Sequence, residues 1–246
     1  MTNKFTNQAF WRKYWSSKKN IKKITANLAF SDIFDRELSK KSGQSMIEIG
    51  GFPGICAMYF KKYWGFQSTL LDYVFNKKET GKLLEVNNLK PEDITIINND
   101  FLKYKSKIKY DLVFSLGFIE HFNDISDVIS RHWSLTKRGG KMIIGIPNFY
   151  GINGVYQKLF DLKNLEIHNL KAMDTVILKK IMKKLKITKY KIFYKSGALV
   201  WLENIKSRNT LLQIFTYMLN IIGLGLTRLG IKGKIISTHI FIIAQK

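Results

Sequence analysis

Residues 46–63 read Met46-Ile47-Glu48-Ile49-Gly50-Gly51-Phe52-Pro53-Gly54-Ile55-Cys56-Ala57-Met58-Tyr59-Phe60-Lys61-Lys62-Tyr63. The opening run is short, apolar and β-branched, and it stops at a glycine cluster. Ile55, Met58 and Tyr59 then fall at helical spacing over Gly54–Tyr63. An apolar run of this length without polar alternation reads as a strand buried on both faces, as in a parallel sheet. Glycines after such a strand let the backbone turn tightly and approach a ligand where a Cβ would clash. The helix that follows offers its unpaired N–H groups at the same place.

The same grammar repeats along the chain. Ser68–Leu71 is a second apolar run, and Ile94–Ile97 a third, opened by Pro91-Glu92-Asp93. Leu112–Phe114 follows Tyr110-Asp111, and Met142–Ile146 runs from Gly139-Gly140 to Pro147. Between the last two, Asp124–Thr136 sets Ile125, Val128, Ile129, Trp133 and Leu135 near one helical face. Lys137-Arg138-Gly139-Gly140 reads as its stop, basic residues followed by glycine. Strand–helix alternation with short links predicts right-handed crossovers and an α/β, doubly wound, mostly parallel sheet over about residues 40–150. Beyond Pro147, Lys171–Leu185 looks helical, and Ile187–Tyr194 and His239–Ile243 read as two final strands that fit an antiparallel edge pair. The long insertion 198–237 lies between them. No linker interrupts the 246 residues, and the first 40 are expected to be helices packed on or over the sheet.

Composition bounds the function. A single cysteine, Cys56, excludes an intramolecular disulfide framework and a cysteine-built zinc site; its place in the first helix points to burial, and a reducing, cytoplasmic setting fits. Lys plus Arg is 41 against 18 for Asp plus Glu, a net charge of +23. Such a chain attracts nucleic acid, anionic lipid or phosphorylated substrates, or carries a lysine-rich bias spread over a solvated surface. No secretory leader is expected, because Phe10, Trp11, Tyr14 and Trp15 sit among basic residues with no apolar run. Leu211–Leu226 is the most apolar stretch, 16 residues that include Gln213 and Asn220. It is shorter than the roughly 20 residues a spanning helix needs, so burial or a position on a membrane surface is expected.

In a doubly wound sheet, ligands bind at the carboxyl ends of the strands. Glu48 and the glycines lie after the first strand. Asp72, 24 residues beyond Glu48, follows the second; a carboxylate there suits both hydroxyls of a ribose. Asp100-Phe101 follows the third, an acid beside an aromatic that suits an adenine. Ser115-Leu116-Gly117 follows the fourth.

The set Glu48-x-Gly50-x-x-x-Gly54, Asp72, Asp100-Phe101, Tyr110–Ser115, Glu120-His121-Phe122 and Gly139-Gly140 resembles the class I S-adenosylmethionine-dependent methyltransferases. It is most similar to the small-molecule branch that includes quinone-biosynthesis and glycan-cluster enzymes. The resemblance covers about residues 40–150. It implies a seven-stranded Rossmann-like sheet with helical insertions in one domain. Residues 1–40 would form a helical lid, 41–150 the cofactor-binding core, and 151–246 the acceptor-side insertions and final strands. It implies S-adenosylmethionine as cofactor and no metal. Glu48 would support the loop and hold the cofactor's amino group through water. Gly50, Gly51 and Gly54 would give backbone contacts, and Asp72 would take the ribose with Tyr73 flanking the adenine. Asp100 and Phe101 would take the adenine, and Ser115 and Leu116 would close the floor. Gly54 equally fits helix–strand packing, and Asp100 a helix cap. The chain departs from the family where a second glycine is usual: Phe52 stands there, and Gly51 comes one place early.

Methyl transfer is an in-line displacement from a sulfonium, so the protein chiefly supplies alignment. A hydroxyl acceptor must also lose a proton. His121, just past the fourth strand, is the candidate base, with a packing role at a helix start as its equal alternative. His168 lies where the family builds its acceptor lid, whereas His132 and His239 read as structural. The expected function is methyl transfer to a small-molecule, glycan or lipid-linked acceptor, to oxygen, with peripheral contact at the inner membrane surface as a further expectation. A nucleic-acid methyltransferase and a non-catalytic membrane-surface scaffold are the alternatives. The charge favours nucleic acid, but Ser115-Leu116-Gly117-Phe118 lacks the prolines of amino-methylating nucleic-acid enzymes, and Cys56 lies away from that strand.

Overall fold

The computed structural model describes residues 4–18, 21–39 and 43–246. Of the expected lid and core, residues 1–3, 19–20 and 40–42 lie outside the described residues. Seven strands form one sheet in the order β3-β2-β1-β4-β5-β7-β6. They are β1 (Ser45–Ile49), β2 (Gln67–Asp72), β3 (Ile94–Asn98), β4 (Tyr110–Leu116), β5 (Thr136–Pro147), β6 (Tyr190–Lys195) and β7 (His239–Gln245). Around them run α1 (Gln8–Ser16), α2 (Ser31–Glu37), α3 (Ile55–Tyr59), α4 (Lys77–Val86), α5 (Ile125–Leu135), α6 (Gly151–Phe160), α7 (Leu162–Glu166), α8 (Thr175–Lys184) and α9 (Thr210–Arg228). β1 pairs in parallel with β2 and with β4, and β2 with β3, in registers that set Glu48 beside Leu70 and Phe114. Strand order therefore reverses between β1 and β4, where loops diverge and a ligand crevice opens in such sheets. β6 and β7 are antiparallel, with Phe193 opposite Phe241.

Three boundaries differ from expectation, each for a local reason. Lys137–Gly140 does not stop a helix: β5 begins at Thr136, directly after α5. Gly139 N–H donates to the Lys246 carbonyl at 2.6 Å, and Lys246 N–H to the Gly140 carbonyl at 3.0 Å, so the glycines belong to a ladder. The helix expected from Lys171 starts at Thr175, because the Asp174 carboxylate accepts from the N–H groups of Val176 and Ile177. Ile187 belongs to the end of that helix and not to β6. Lys186 takes φ +55°, and the N–H groups of Lys186 and Ile187 return to the carbonyls of Lys183 and Met182. That is a Schellman cap with its buried apolar residue.

The chain forms two compact units. One comprises residues 6–116, 131–143 and 245–246; the other comprises residues 117–130, 144–244 and the described part of 1–5. In the first, Phe34, Phe60, Phe66 and Phe114 pack with ring centroids 4.8–5.5 Å apart around Phe34 and Phe60. The second is tied by buried amides. Asn148 donates to the carbonyls of Lys234 and Ser237 at 2.9 and 2.6 Å and accepts from Tyr150 N–H at 3.2 Å. Asn153 bonds the Asn148 carbonyl and the Trp201 N–H, and Asn164 donates to Gln157. These loops make few ladder bonds, so side-chain amides satisfy their backbone groups instead.

Asn148→Ala should therefore cost about 1–3 kcal/mol, the penalty of leaving buried groups unpaired. For a chain of this size that is a fall of roughly 2–10 °C in melting temperature. Calorimetry on the purified variant checks it, and an unchanged transition would show that water replaces the amide.

Candidate active site

The first site group lies at the carboxyl ends of β1–β4, within the first unit. Gly50 turns the chain at φ +68° and donates its N–H to the Leu71 carbonyl at 2.8 Å. Glu48 points inward from β1 and accepts from Ala57 N–H at 2.7 Å, which fastens α3 to the loop. Burial pushes its carboxyl up to about 8, against the hydrogen bonds from Ala57 and Cys56; the Asp72 charge adds to the rise. A Cβ on Gly51 would sit 2.1 Å from the Glu48 carboxyl carbon. The glycine that arrives one place early thus makes room for Glu48. Gly54 is needed twice over, by φ +100° and by Leu70, 3.1 Å from where its Cβ would be. Phe52, where the family usually has glycine, is buried and packs edge-on against Trp15 of α1, centroids 5.7 Å apart. Cys56 is half-buried, more open than its helix position implied.

Asp72 closes the second loop onto the first. One carboxylate oxygen accepts from Phe52 N–H at 3.0 Å and the other from Val74 N–H at 2.8 Å. Two backbone bonds do not exhaust a carboxylate, which has about four acceptor sites. Asp100 accepts from Leu102 N–H at 3.0 Å, so the short acid does shape its own turn. The half-exposed Tyr73 sits close enough to Asp72 and Asp100 that both raise its hydroxyl pKa, after burial. Its carbonyl accepts from Gln8 of α1. Phe101 is buried edge-on against His132, centroids 4.9 Å apart, and His132 Nε2 lies 3.1 Å from the Ser115 hydroxyl. Ser115 is fully buried and Leu116 half-exposed at the end of β4. The geometry thus gathers Glu48, Asp72, Tyr73 and Asp100 around the loops, while Phe101 and Ser115 meet through His132. Acids at the ends of adjacent strands, beside a glycine turn, fit a cofactor with a ribose and an ammonium group. Gly51 provides space for Glu48, so no ligand contact is needed to explain it.

The second group lies in the other unit. A 3₁₀ turn, Ile119–His121, follows β4. Asn169 ties this turn to the 168–169 loop: its N–H donates to the Glu120 carbonyl at 2.7 Å and its side chain to the Phe122 carbonyl at 2.8 Å. His121 and His168 thereby meet with ring centroids 4.6 Å apart and planes tilted by 48°, and Phe149 lies 4.9 Å from His168 and 5.4 Å from Trp201. His121 Nδ1 lies 3.1 Å from the Ile167 carbonyl. Burial, then the neighbouring His168, lowers the His121 pKa to about 3, and burial lowers His168 to about 4. The titration near 6.5 expected of an unperturbed imidazole does not carry over; both rings are neutral at physiological pH. His239 opens β7 beside Thr238, and burial lowers it to about 4. The sequence pointed to His121 and His168 but missed Glu120, Asn169, Phe149 and Trp201 as their neighbours. Only the Glu120-His121 pair left a local signal.

A sequence model described as a methyltransferase domain matches residues 20–172. The chain belongs to that family. By family it carries a methyltransferase domain of the S-adenosylmethionine-dependent kind. No curated protein sequence matches it. Among solved structures, it resembles phosphoethanolamine N-methyltransferase 2 of Haemonchus contortus, with TM-score 0.65 and 19% identity over 98% of this chain and 57% of that one. A SAM-dependent methyltransferase from Archaeoglobus fulgidus matches with TM-score 0.57 and 17% identity over 98% and 100% of the two chains. A family 2 O-methyltransferase from Planctomyces limnophilus matches with TM-score 0.56 and 12% identity over 87% of this chain and 56% of that one. The chain thus spans little more than half of the Haemonchus and Planctomyces proteins, and at these identities the likeness is one of fold.

Asp72→Ala tests the first group. Removing the carboxylate should weaken S-adenosylhomocysteine binding by about 10–100-fold, the equivalent of about 1.4–2.8 kcal/mol, and lower stability modestly through the orphaned Phe52 and Val74 N–H groups. Titration calorimetry measures the first and thermal melting the second. Full affinity in the folded variant would remove Asp72 from the cofactor site.

Proposed function

We propose that this protein transfers the S-adenosylmethionine methyl group to an oxygen of a small-molecule acceptor, glycans and lipid-linked molecules included. The bound cofactor supplies an activated methyl on a sulfonium. The residues of the first group hold and align it: Gly50 and Gly54 through the backbone, Glu48 at the amino group through water, Asp72 at the ribose hydroxyls, Asp100 and Phe101 at the adenine end. Ser115 and Leu116 form the floor. The observation that supports an oxygen acceptor is the cluster of Glu120, His121 and His168, which brings three basic atoms to one buried place. A hydroxyl must give up its proton to be methylated, and His121 is the group assigned to the acceptor. The test is transfer of a labelled methyl group from S-adenosylmethionine into separate lipid, glycan and RNA fractions. Label in a lipid or glycan ether is the expected result. Label confined to RNA would overturn the acceptor class.

One observation favours the lipid-linked class among these. α9 turns an apolar face outward and sets polar residues among those facing the protein. Its protein-facing stripe carries Gln213, Thr216, Asn220, Gly223 and Thr227 beside Leu212 and Leu219, which pack on the cluster of Tyr156, Leu199, Val200 and Leu202. Thr216 bonds Tyr156 at 2.8 Å, and Asn220 accepts from the N–H groups of Leu199 and Val200. Its outer face carries Leu211, Ile214, Phe215, Tyr217, Met218 and Ile222, between 47% and 81% exposed. A surface helix of a globular protein has the opposite polarity. By length and composition α9 could cross a membrane, with mean hydropathy 1.4. Lys206, Arg208, Arg228, Lys232 and Lys234 flank it, and no Asp or Glu occurs from residue 204 to the end. An apolar face with basic flanks suits the surface of an anionic bilayer, which we assign as its occupant, on the cytoplasmic side.

The protein should therefore sediment with vesicles of phosphatidylcholine and phosphatidylserine and less with phosphatidylcholine alone. High salt should weaken binding, and Met218→Asp with Ile222→Asp should abolish it without lowering the melting temperature. A soluble dimer that these substitutions dissociate, with no vesicle binding, would make a second copy the occupant instead.

A further inference from the structure

We propose that Glu120, His121 and His168 form a binding site for a divalent first-row transition cation. Each offers one ligand atom, and the three atoms lie within 4.8 Å of one another. Ligand atoms that share one ion at bond lengths of about 2.0–2.2 Å stand at most about 4.4 Å apart, so inward side-chain shifts of a few tenths of an ångström bring all three onto one ion.

Two features independent of the spacing point the same way. The Glu120 side chain is completely buried, and neither of its oxygens has a hydrogen-bond partner. The backbone N–H groups of Phe118 and Glu120 itself face it without reaching bonding geometry. A buried carboxyl with nothing to bond is costly, and a cation at this place removes the cost. The second feature is the orientation of the rings. His121 Nδ1 lies 3.1 Å from the Ile167 carbonyl and His168 Nδ1 2.5 Å from the Asn164 carbonyl. Each carbonyl accepts an Nδ1–H, which fixes the tautomer with the lone pair on Nε2. Neutral rings anchored through the far nitrogen to backbone carbonyls are the usual support of metal-bound histidine. Asn169 holds the two loops in register, so the donor set does not depend on one flexible segment.

Two imidazoles and one carboxylate favour manganese, iron, cobalt or zinc over magnesium or calcium. Three protein ligands leave coordination positions open, as catalytic sites do and structural sites do not. This inference rests on the proposed oxygen acceptor and deepens it, since His121 then acts on the acceptor through the ion. The acceptor hydroxyl binds the cation and loses its proton to water. Its oxygen forms the bond to the methyl carbon as the carbon–sulfur bond breaks, and the electron pair of that bond goes to sulfur. The products are the methyl ether, S-adenosylhomocysteine and the released proton.

The experiment reads metal binding without turnover. The full-length protein is stripped with dipicolinate, then titrated with Mn²⁺, Zn²⁺ and Mg²⁺ while bound metal and melting temperature are measured. About one equivalent of Mn²⁺ or Zn²⁺ should bind and raise the melting temperature, with Mg²⁺ much weaker. Glu120→Gln and, separately, His168→Ala should each weaken that binding at least tenfold while S-adenosylhomocysteine still binds, which shows that the variant is folded. Wild-type protein that takes up no Mn²⁺ or Zn²⁺ overturns the site, as does a folded Glu120→Gln variant with unchanged affinity. Because S-adenosylhomocysteine binding is scored separately, loss of the metal site and failure of the methyltransferase reading give different results.

Discussion

The carboxyl group of Glu48 occupies the space that a side chain on residue 51 would fill. From there it holds Ala57 N–H and so fixes where α3 leaves the loop after β1. Asp72 adds the second constraint by joining Phe52 N–H of that loop to Val74 N–H of the next. Two acids at the ends of neighbouring parallel strands thus set the backbone of both loops before any ligand arrives. Such preorganisation matters for a reaction whose protein contribution is chiefly alignment. Glu48 carries a cost, because burial disfavours its charged form.

Charge and hydropathy act at different places in the molecule. The +23 net charge is a property of the whole chain, but residues 204–246 have no acid to offset their lysines and arginines, and α9 with its exposed apolar face lies within that stretch. A basic surface alone would fit any polyanion. A basic surface flanking an exposed apolar face is more selective, since nucleic acid offers nothing to cover the aliphatic side chains, whereas a bilayer satisfies both. The polar residues on the inner face of α9 are not misplaced. Asn220 replaces a strand partner for the N–H groups of Leu199 and Val200, and Gly223 lets that loop approach to 2.6 Å from where its Cβ would stand.

The parallel core was legible in the sequence because strands buried on both faces leave unmixed apolar runs, and the glycine turn and Asp72 sit at fixed offsets from them. What escaped was set by single side chains. Asp174 capped a helix four residues later than the apolar pattern began, and Lys186 in the left-handed region took Ile187 from the strand into a helix end. Likewise the carboxyls of Asp72 and Asp100 were legible as ends of strands, but their backbone partners, Phe52, Val74 and Leu102, were not. Those bonds depend on which way each loop turns, and composition carries no record of that. Gly51 shows the limit clearly. Its shift by one place looked like a departure at the cofactor loop, and only the position of the Glu48 carboxyl shows what the glycine accommodates.

The acceptor-side unit hid its logic for a different reason. Asn153 and Gln157 lie one turn apart on α6, and polar residues at helical spacing read as solvent-exposed. Here Asn153 and Gln157 are 1% and 0% exposed, because the loops they meet bring carbonyls and N–H groups that no strand partner satisfies. A unit built this way is rigid through its polar bonds, and an unmatched polar group inside it stands out. The described residues leave two such groups here, the Glu120 carboxyl and the Trp201 indole N–H. One is an acceptor beside two imidazoles, and the other a donor on the same aromatic run through Phe149. A network that satisfies its amides so fully and leaves these two unpaired has the character of a site shaped for groups that the chain itself does not supply.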